Sequence, residues 1–363
     1  LKKIRAFIFI FVATILVPGG AEATLLDICS TCTFDTVGGA EATAIDNDIL
    51  EIQDSRIYAE QWEPGGIRTL RSVAGQTPIL GLITGGTRGA VNLDSTAGPV
   101  TIDGIDHGLT LRTAGGASAP VLFHGSATTL TLVVRRIKTT QGVNVFSEGF
   151  QFNGSAINNS YTLEKIEFDG VSCGGCTGIN FATTSGALMI LSNSVFHDYQ
   201  VGGSGTAIDI SGSQTAIVAK LINNTIVDSG NGVDFDEPVS MINNIFADNT
   251  NDGNFTGAFS KADGIFNNFE QEPSTGWPSN NTFVTIMFVD AAADDYHLAS
   301  SSNGIDDGTT SDVTDDFDGN SRPQGAAYDQ GAFEFLVDGI IKFINAGVVS
   351  KTMDAGVVVK VLD

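Results

Sequence analysis

The sequence predicts an all-β chain folded as a right-handed parallel β-helix, a solenoid, with a C-terminal capping segment. Three observations carry that expectation. The frame Asn-x-x-Φ-x-Asp, with Φ apolar, occurs as Asn193-Ser194-Val195-Phe196-His197-Asp198, as Asn223-Asn224-Thr225-Ile226-Val227-Asp228 and as Asn243-Asn244-Ile245-Phe246-Ala247-Asp248. Its copies start 30 and then 20 residues apart, an irregular spacing that suits coils stacked in one rod. Short alternating segments such as Val100-Thr101-Ile102-Asp103 and Leu109-Thr110-Leu111 lie between Gly-rich turns, as strands with one inward face do. Helical periodicity is sustained nowhere after the first 17 residues.

Taken in chain order, residues 1–23 read as a secretory signal peptide. Lys2, Lys3 and Arg5 precede an apolar run from Ala6 to Val17, followed by Ala21-Glu22-Ala23; the run is too short for a bilayer span of ~20 residues. The expectation is a secreted, extracellular or cell-surface chain with no integral membrane span after cleavage. In that compartment Cys29–Cys32 and Cys173–Cys176 are expected as two local disulfides. A shared zinc site, redox chemistry or free thiols are the alternatives, although the pairs stand 141 residues apart where zinc ribbons space theirs by ~15–20.

Residues 24–290 read as the solenoid itself. One coil alone cannot bury an apolar face, whereas a stack shares a cylindrical core. Phe196, Ile226 and Phe246 are therefore expected in one inward column, with Asn193, Asn223 and Asn243 stacked at one turn, where amides bond along the axis and satisfy turn backbone. Lys165-Ile166-Glu167-Phe168-Asp169-Gly170 extends the frame upstream, with Ile137 a further 31 residues before Phe168. At roughly 20 to 30 residues per coil the count is on the order of ten, a rod roughly 50 Å long.

The formal net charge is −24, and between Lys220 and Arg322 the only basic residue is Lys261. Such a surface repels phosphate backbones and anionic head groups, which argues against nucleic acid as a partner. Divalent cations or neutral glycans remain compatible with it, and colloidal solubility alone would also account for it.

The most specific pattern follows the coils. Phe288-Val289-Asp290-Ala291, Tyr296-His297-Leu298, Asn303-Gly304-Ile305-Asp306-Asp307-Gly308, Thr314-Asp315-Asp316-Phe317-Asp318-Gly319-Asn320-Ser321-Arg322-Pro323 and Asp329-Gln330-Gly331-Ala332-Phe333-Glu334 occur in that order. This closely resembles the ending of secreted right-handed β-helix proteins of the choice-of-anchor Q domain type, within the pectate-lyase-like superfamily. The resemblance implies a surface-associated β-helix and sets 291–335 apart as a cap with the choice-of-anchor Q-like motif. The Ser-Pro that normally precedes Ile-Asp is absent here, since Ser302-Asn303-Gly304 stands in its place. Residues 336–363 form a β-rich tail of unknown role. Within the cap, Arg322 is expected to bridge at least one of Asp315, Asp316, Asp318 and Asp329. The alternative for Asp315, Asp316, Asp318 and Asn320 is a calcium site, because clustered oxygens suit a hard cation.

Catalytic signals are sparse. Arg135, Arg136 and Lys138 form a basic cluster that suits an anionic sugar as ligand, and Arg136-Ile137-Lys138 matches the Arg-Ile-Lys of polygalacturonase-type β-helix hydrolases. The paired carboxylates those enzymes need upstream are missing. A polysaccharide lyase would need a base, an acid and a cation; Arg136, Lys138, Lys165 and Glu167 are the candidates. Lys138 and Glu167 read first as an ion pair between neighbouring coils. His197 beside Asp198 is another acid–base candidate, but Asp198 holds the repeat slot also filled by Asp228 and Asp248, and His297 lies inside the cap motif. The expected function is binding of polysaccharide or cell-surface glycan, or adhesion. A lyase or glycoside hydrolase acting on acidic polysaccharide is the alternative, and a structural spacer rod the third.

Overall fold

A computed structural model describes residues 23–81, 89–96, 98–113, 120–126, 128–140, 148–156, 158–170, 175–182, 186–199, 205–210, 218–256, 263–271 and 276–336. Residues 1–22 of the expected signal peptide, Cys173 and residues 337–363 lie outside them. The described chain is a parallel β-helix.

Three ladders of parallel strands run along the rod. The first holds Leu25–Ile28, Ile49–Ile52, Arg68–Ser72, Gly98–Asp103, the N-terminal halves of Leu130–Thr140 and Ser160–Asp169, then Leu188–Ser192, Val218–Ile222, Val239–Ile242 and Gly264–Ile265. The second runs from Ile57–Tyr58 through Ile79–Leu80, Leu109–Arg112 and the C-terminal halves of the same two long strands. It continues with Val195–His197, Thr225–Val227, Ile245–Ala247 and Asn268–Phe269. The third begins at Val91–Asn92 and ends at Asn251–Phe255.

From Leu130 onward, each coil bends between the first and second ladders through one residue with positive φ. In register these are Arg136, Lys165, Asn193, Asn223, Asn243 and Phe266, with φ between 47° and 57°. Asn accepts this left-handed conformation more readily than most residues do, which is one reason it recurs at the bend. The side chains of Asn193, Asn223 and Asn243 leave the core. Among them Asn243 Nδ2 still donates to Asn223 Oδ1 along the axis at 3.3 Å, and a longer axial ladder runs through the residue after each: the backbone N–H groups of Ser194, Asn224, Asn244 and Asn267 donate to the Oδ1 atoms of Asn224, Asn244, Asn267 and Asn281, at 2.8–3.0 Å.

Inside, Thr139, Phe168, Phe196, Ile226, Phe246 and Phe269 share one register and are fully buried. Phe168 stacks on Phe196 at 4.3 Å between ring centroids, and Phe246 on Phe269 at 4.7 Å. The short helix Val37–Glu41, capped by Thr36, turns Val37 and Ala40 into the core beside the first two strands. At the other end Trp277 packs against Phe255 and Phe269. Cys29 and Cys32 are disulfide-bonded to each other, and Cys176 is in a disulfide as well.

The segment after 285 does not sit over that end. It runs back along the flank, starting with the antiparallel pair Phe288–Asp290 and Asp295–Leu298. Its Ile286, Tyr296, Leu298, Ala332 and Phe333 pack on Val195, Val227, Ile245 and Ala247, outward residues of the second ladder. The strands there are consequently buried on both faces. Among the described residues no helix is long and apolar enough to cross a membrane.

Candidate functional site

The outward row of the second ladder changes character along the rod. In register it reads Thr110, Lys138, Glu167, Val195, Thr225, Ile245, with Asp169 and His197 in the adjacent row. The flank segment packs on the apolar part and, where the row becomes charged, continues along the bends to Lys165 and His107. A cleft of about 240 Å³ lies at that junction. Glu167, Val195 and His197 form its solenoid wall; Asp294, Asp295, Tyr296, His297, Phe317, Asp318 and Phe333 form the other. His107 anchors the rim, its ring stacked on Phe317 at 4.2 Å and its Nε2 3.1 Å from the Phe317 carbonyl. Burial lowers its pKa, so as the neutral tautomer it donates Nε2–H to that oxygen.

His197 is only 1% exposed and sits between carboxylates, with Nδ1 2.9 Å from Asp198 and Nε2 3.3 Å from Glu167. Burial alone would lower its pKa; the hydrogen bonds to Asp198 and Glu167 overcome this and hold it at about 9. Burial alone would raise Glu167, yet His197 and Lys138, whose Nζ is 2.5 Å away, pull it down to about 2. Lys138 also reaches Asp169 at 3.5 Å. Across the cleft, His297 lies between Asp318 at 2.7 Å and Asp295 at 2.6 Å, its ring 4.1 Å from that of Phe333. Its bond to Asp318, against burial and with help from Asp295, raises its pKa to about 9. At neutral pH His197 and His297 are protonated and Glu167 is ionised, each within a pair. The arrangement supplies hydrogen-bond acceptors and aromatic surface, and among these paired groups there is no neutral base.

The sequence-predicted residues separate in space. Arg135 and Arg136 both bind Asp103, Arg136 through Nε and Nη2 together. Lys165, at its bend, pairs with Asp315 under the flank at 2.6 Å. Lys138 and Glu167 meet, and Glu167 lines the cleft. Of the proposed calcium ligands, Asp315 faces Lys165, Asp316 accepts from Asn320 and from the Glu334 N–H, and Asp318 faces His297. Arg322 is fully buried, and its carboxylate partner is Glu334 at 2.6 Å; Asp315 and Asp329 offer it only backbone carbonyls. The residues that sequence reasoning set aside are His197 and His297. One was masked by the repeat slot of its neighbour Asp198, the other by the motif around it.

No protein-family model matches the chain, and no curated protein matches it. Among solved structures the chain is similar to a pectate lyase, Pel9A, at 12% identity over 82% of this chain and 90% of that one, with a TM-score of 0.36. A likeness this remote carries no argument about activity, and the β-helix stands on the registers described above. The choice-of-anchor resemblance rests on the C-terminal motifs alone.

Proposed function

We propose that this chain is an exported or cell-surface β-helix that binds a neutral, hydroxyl-rich glycan in the cleft between the second ladder and the flank segment. The observation that carries this reading is the pairing of every cation around the cleft, Lys138, His197 and His297, while its half-exposed carboxylates, Asp294, Asp295 and Asp318, face solvent. A uronate chain needs an unpaired cation for each carboxylate it brings, whereas sugar hydroxyls donate to carboxylates and sugar rings lie against aromatic surface such as Phe317. A lyase or hydrolase of acidic polysaccharide is the second reading, and it requires Lys138 or His197 to give up its partner.

Affinity electrophoresis against neutral and uronate polymers tests the proposal, with polygalacturonate turnover followed by absorbance of unsaturated product. Retardation by a neutral polymer that falls at least tenfold in Asp295→Asn/Asp318→Asn supports it. Turnover of the uronate polymer replaces it with the enzyme reading, and no retardation by any neutral polymer removes it.

A further inference from the structure

We propose that Asp169, His197 and Asp198 form a site for a divalent transition metal of the zinc or cobalt class, entered through the cleft. The proposal goes beyond the glycan reading and stands independently of it. One ligand atom from each residue can be chosen so that all three lie within 4.8 Å of one another, which puts a common centre at most about 2.8 Å from each. Zinc bonds to nitrogen and carboxylate oxygen are ~2.0–2.2 Å, so a closing movement of at most about 0.6–0.8 Å per side chain completes the set.

Two further features distinguish this group from a chance cluster of acids. The first is orientation. His197 presents Nδ1 to Asp198 while its Nε2 faces Glu167, and Glu167 is itself held by Lys138. With the metal on Nδ1, Nε2–H donates to Glu167, the outer carboxylate that fixes a metal-bound imidazole in ring position and tautomer. The second is charge. Glu167, Asp169, Asp198 and Asp294 surround His197 and Lys138, four carboxylates against two cations; the ion displaces the Nδ1 proton of His197 to solvent, so two positive charges replace one and the excess falls.

The donor set decides the class of ion. Calcium and magnesium take all-oxygen shells, whereas an imidazole with two carboxylates suits zinc, cobalt, nickel or manganese. His197 and Glu167 line the cleft, which gives the ion a path and leaves room for water on its open side.

The test is equilibrium dialysis of the full chain with Zn²⁺ in a hundredfold excess of Mg²⁺, alongside Co²⁺ titration followed by visible absorption. The expected result is one ion per chain, a Co²⁺ spectrum of low-coordinate nitrogen and oxygen ligation, and at least a tenfold loss of affinity in His197→Gln and Asp169→Asn. His297→Gln, on the opposite wall, should bind as the parent does. Displacement by Mg²⁺, or equal binding by His197→Gln, overturns the proposal. Should His197→Gln fail to fold, paramagnetic broadening by Co²⁺ in the unmodified protein decides: the His197 ring signals must vanish first, and broadening centred on His297 overturns the site.

Discussion

The two asparagines of each Asn-Asn pair make different contacts, although they are one bond apart in the chain. The first occupies the left-handed bend and points outward, where Asn223 Nδ2 donates to the carbonyls of Asp329 and Gly331, and Asn243 Nδ2 to that of Thr309 and, more weakly, to Asn223 Oδ1. The second points inward and joins the coils along the axis. The repeat frame shows in the sequence that Asn recurs at a turn. Which amide faces the core is set by φ at the bend, and spacing alone does not carry that information. Substitution separates the two roles. Asn244→Ala removes the acceptor of the Asn224 N–H and the donor to the Leu221 carbonyl, leaving buried polar groups unpaired at a cost of ~3 kcal/mol. Asn243→Gly keeps the backbone conformation at the bend and should cost only ~1 kcal/mol. Urea denaturation of the two variants checks the order, and an equal loss would put both amides in one role.

Among the elements, the second ladder holds the sequence signal for the flank segment. A strand with one solvent face alternates, yet Val195, Val227 and Ile245 place apolar side chains at outward positions, so something had to cover them. The covering stretch was readable as a distinct motif of charged, Gly-rich character. Its placement along the side was not, because a chain that docks through backbone carbonyls leaves no periodic pattern. The solenoid itself was legible from alternation and repeat, while the cleft was not, since its two walls lie about a hundred residues apart in sequence. At this scale pH enters through His297. Its folded pKa of about 9 lies above the unfolded value of ~6.5. The stabilisation it gives the flank is therefore complete below pH ~6.5 and is lost as pH rises through about 9. The melting temperature should fall across that window, and His297→Gln should flatten the fall; an NMR titration midpoint near 6.5 would refute the pairing with Asp295 and Asp318.

For the whole molecule, acid is in excess, and the described fold puts one of its mixed-charge regions beside the cleft. Arrays of stacked coils ordinarily couple only to their neighbours, and they fray from the ends one unit at a time. The flank segment breaks that rule. Asp315 holds Lys165, Arg322 holds Asn193, Gly331 holds Asn223 and Asn243, and Gln330 reaches the Phe266 carbonyl. Five successive coils are thereby fastened to one splint, whose own joint is the buried pair of Arg322 and Glu334. Arg322→Ala leaves Glu334 buried and uncompensated, a loss of ~3–5 kcal/mol, and hydrogen exchange should then show those five coils opening in sequence instead of together. Among the described residues the coils before Asp103 carry no such brace, so in the unmodified protein the rod has two mechanical regimes: an N-terminal half that can peel and a C-terminal half that yields only as a block. A pull applied along the axis would therefore be absorbed first at the N-terminal end, and the cleft would keep its shape until the splint itself gives way.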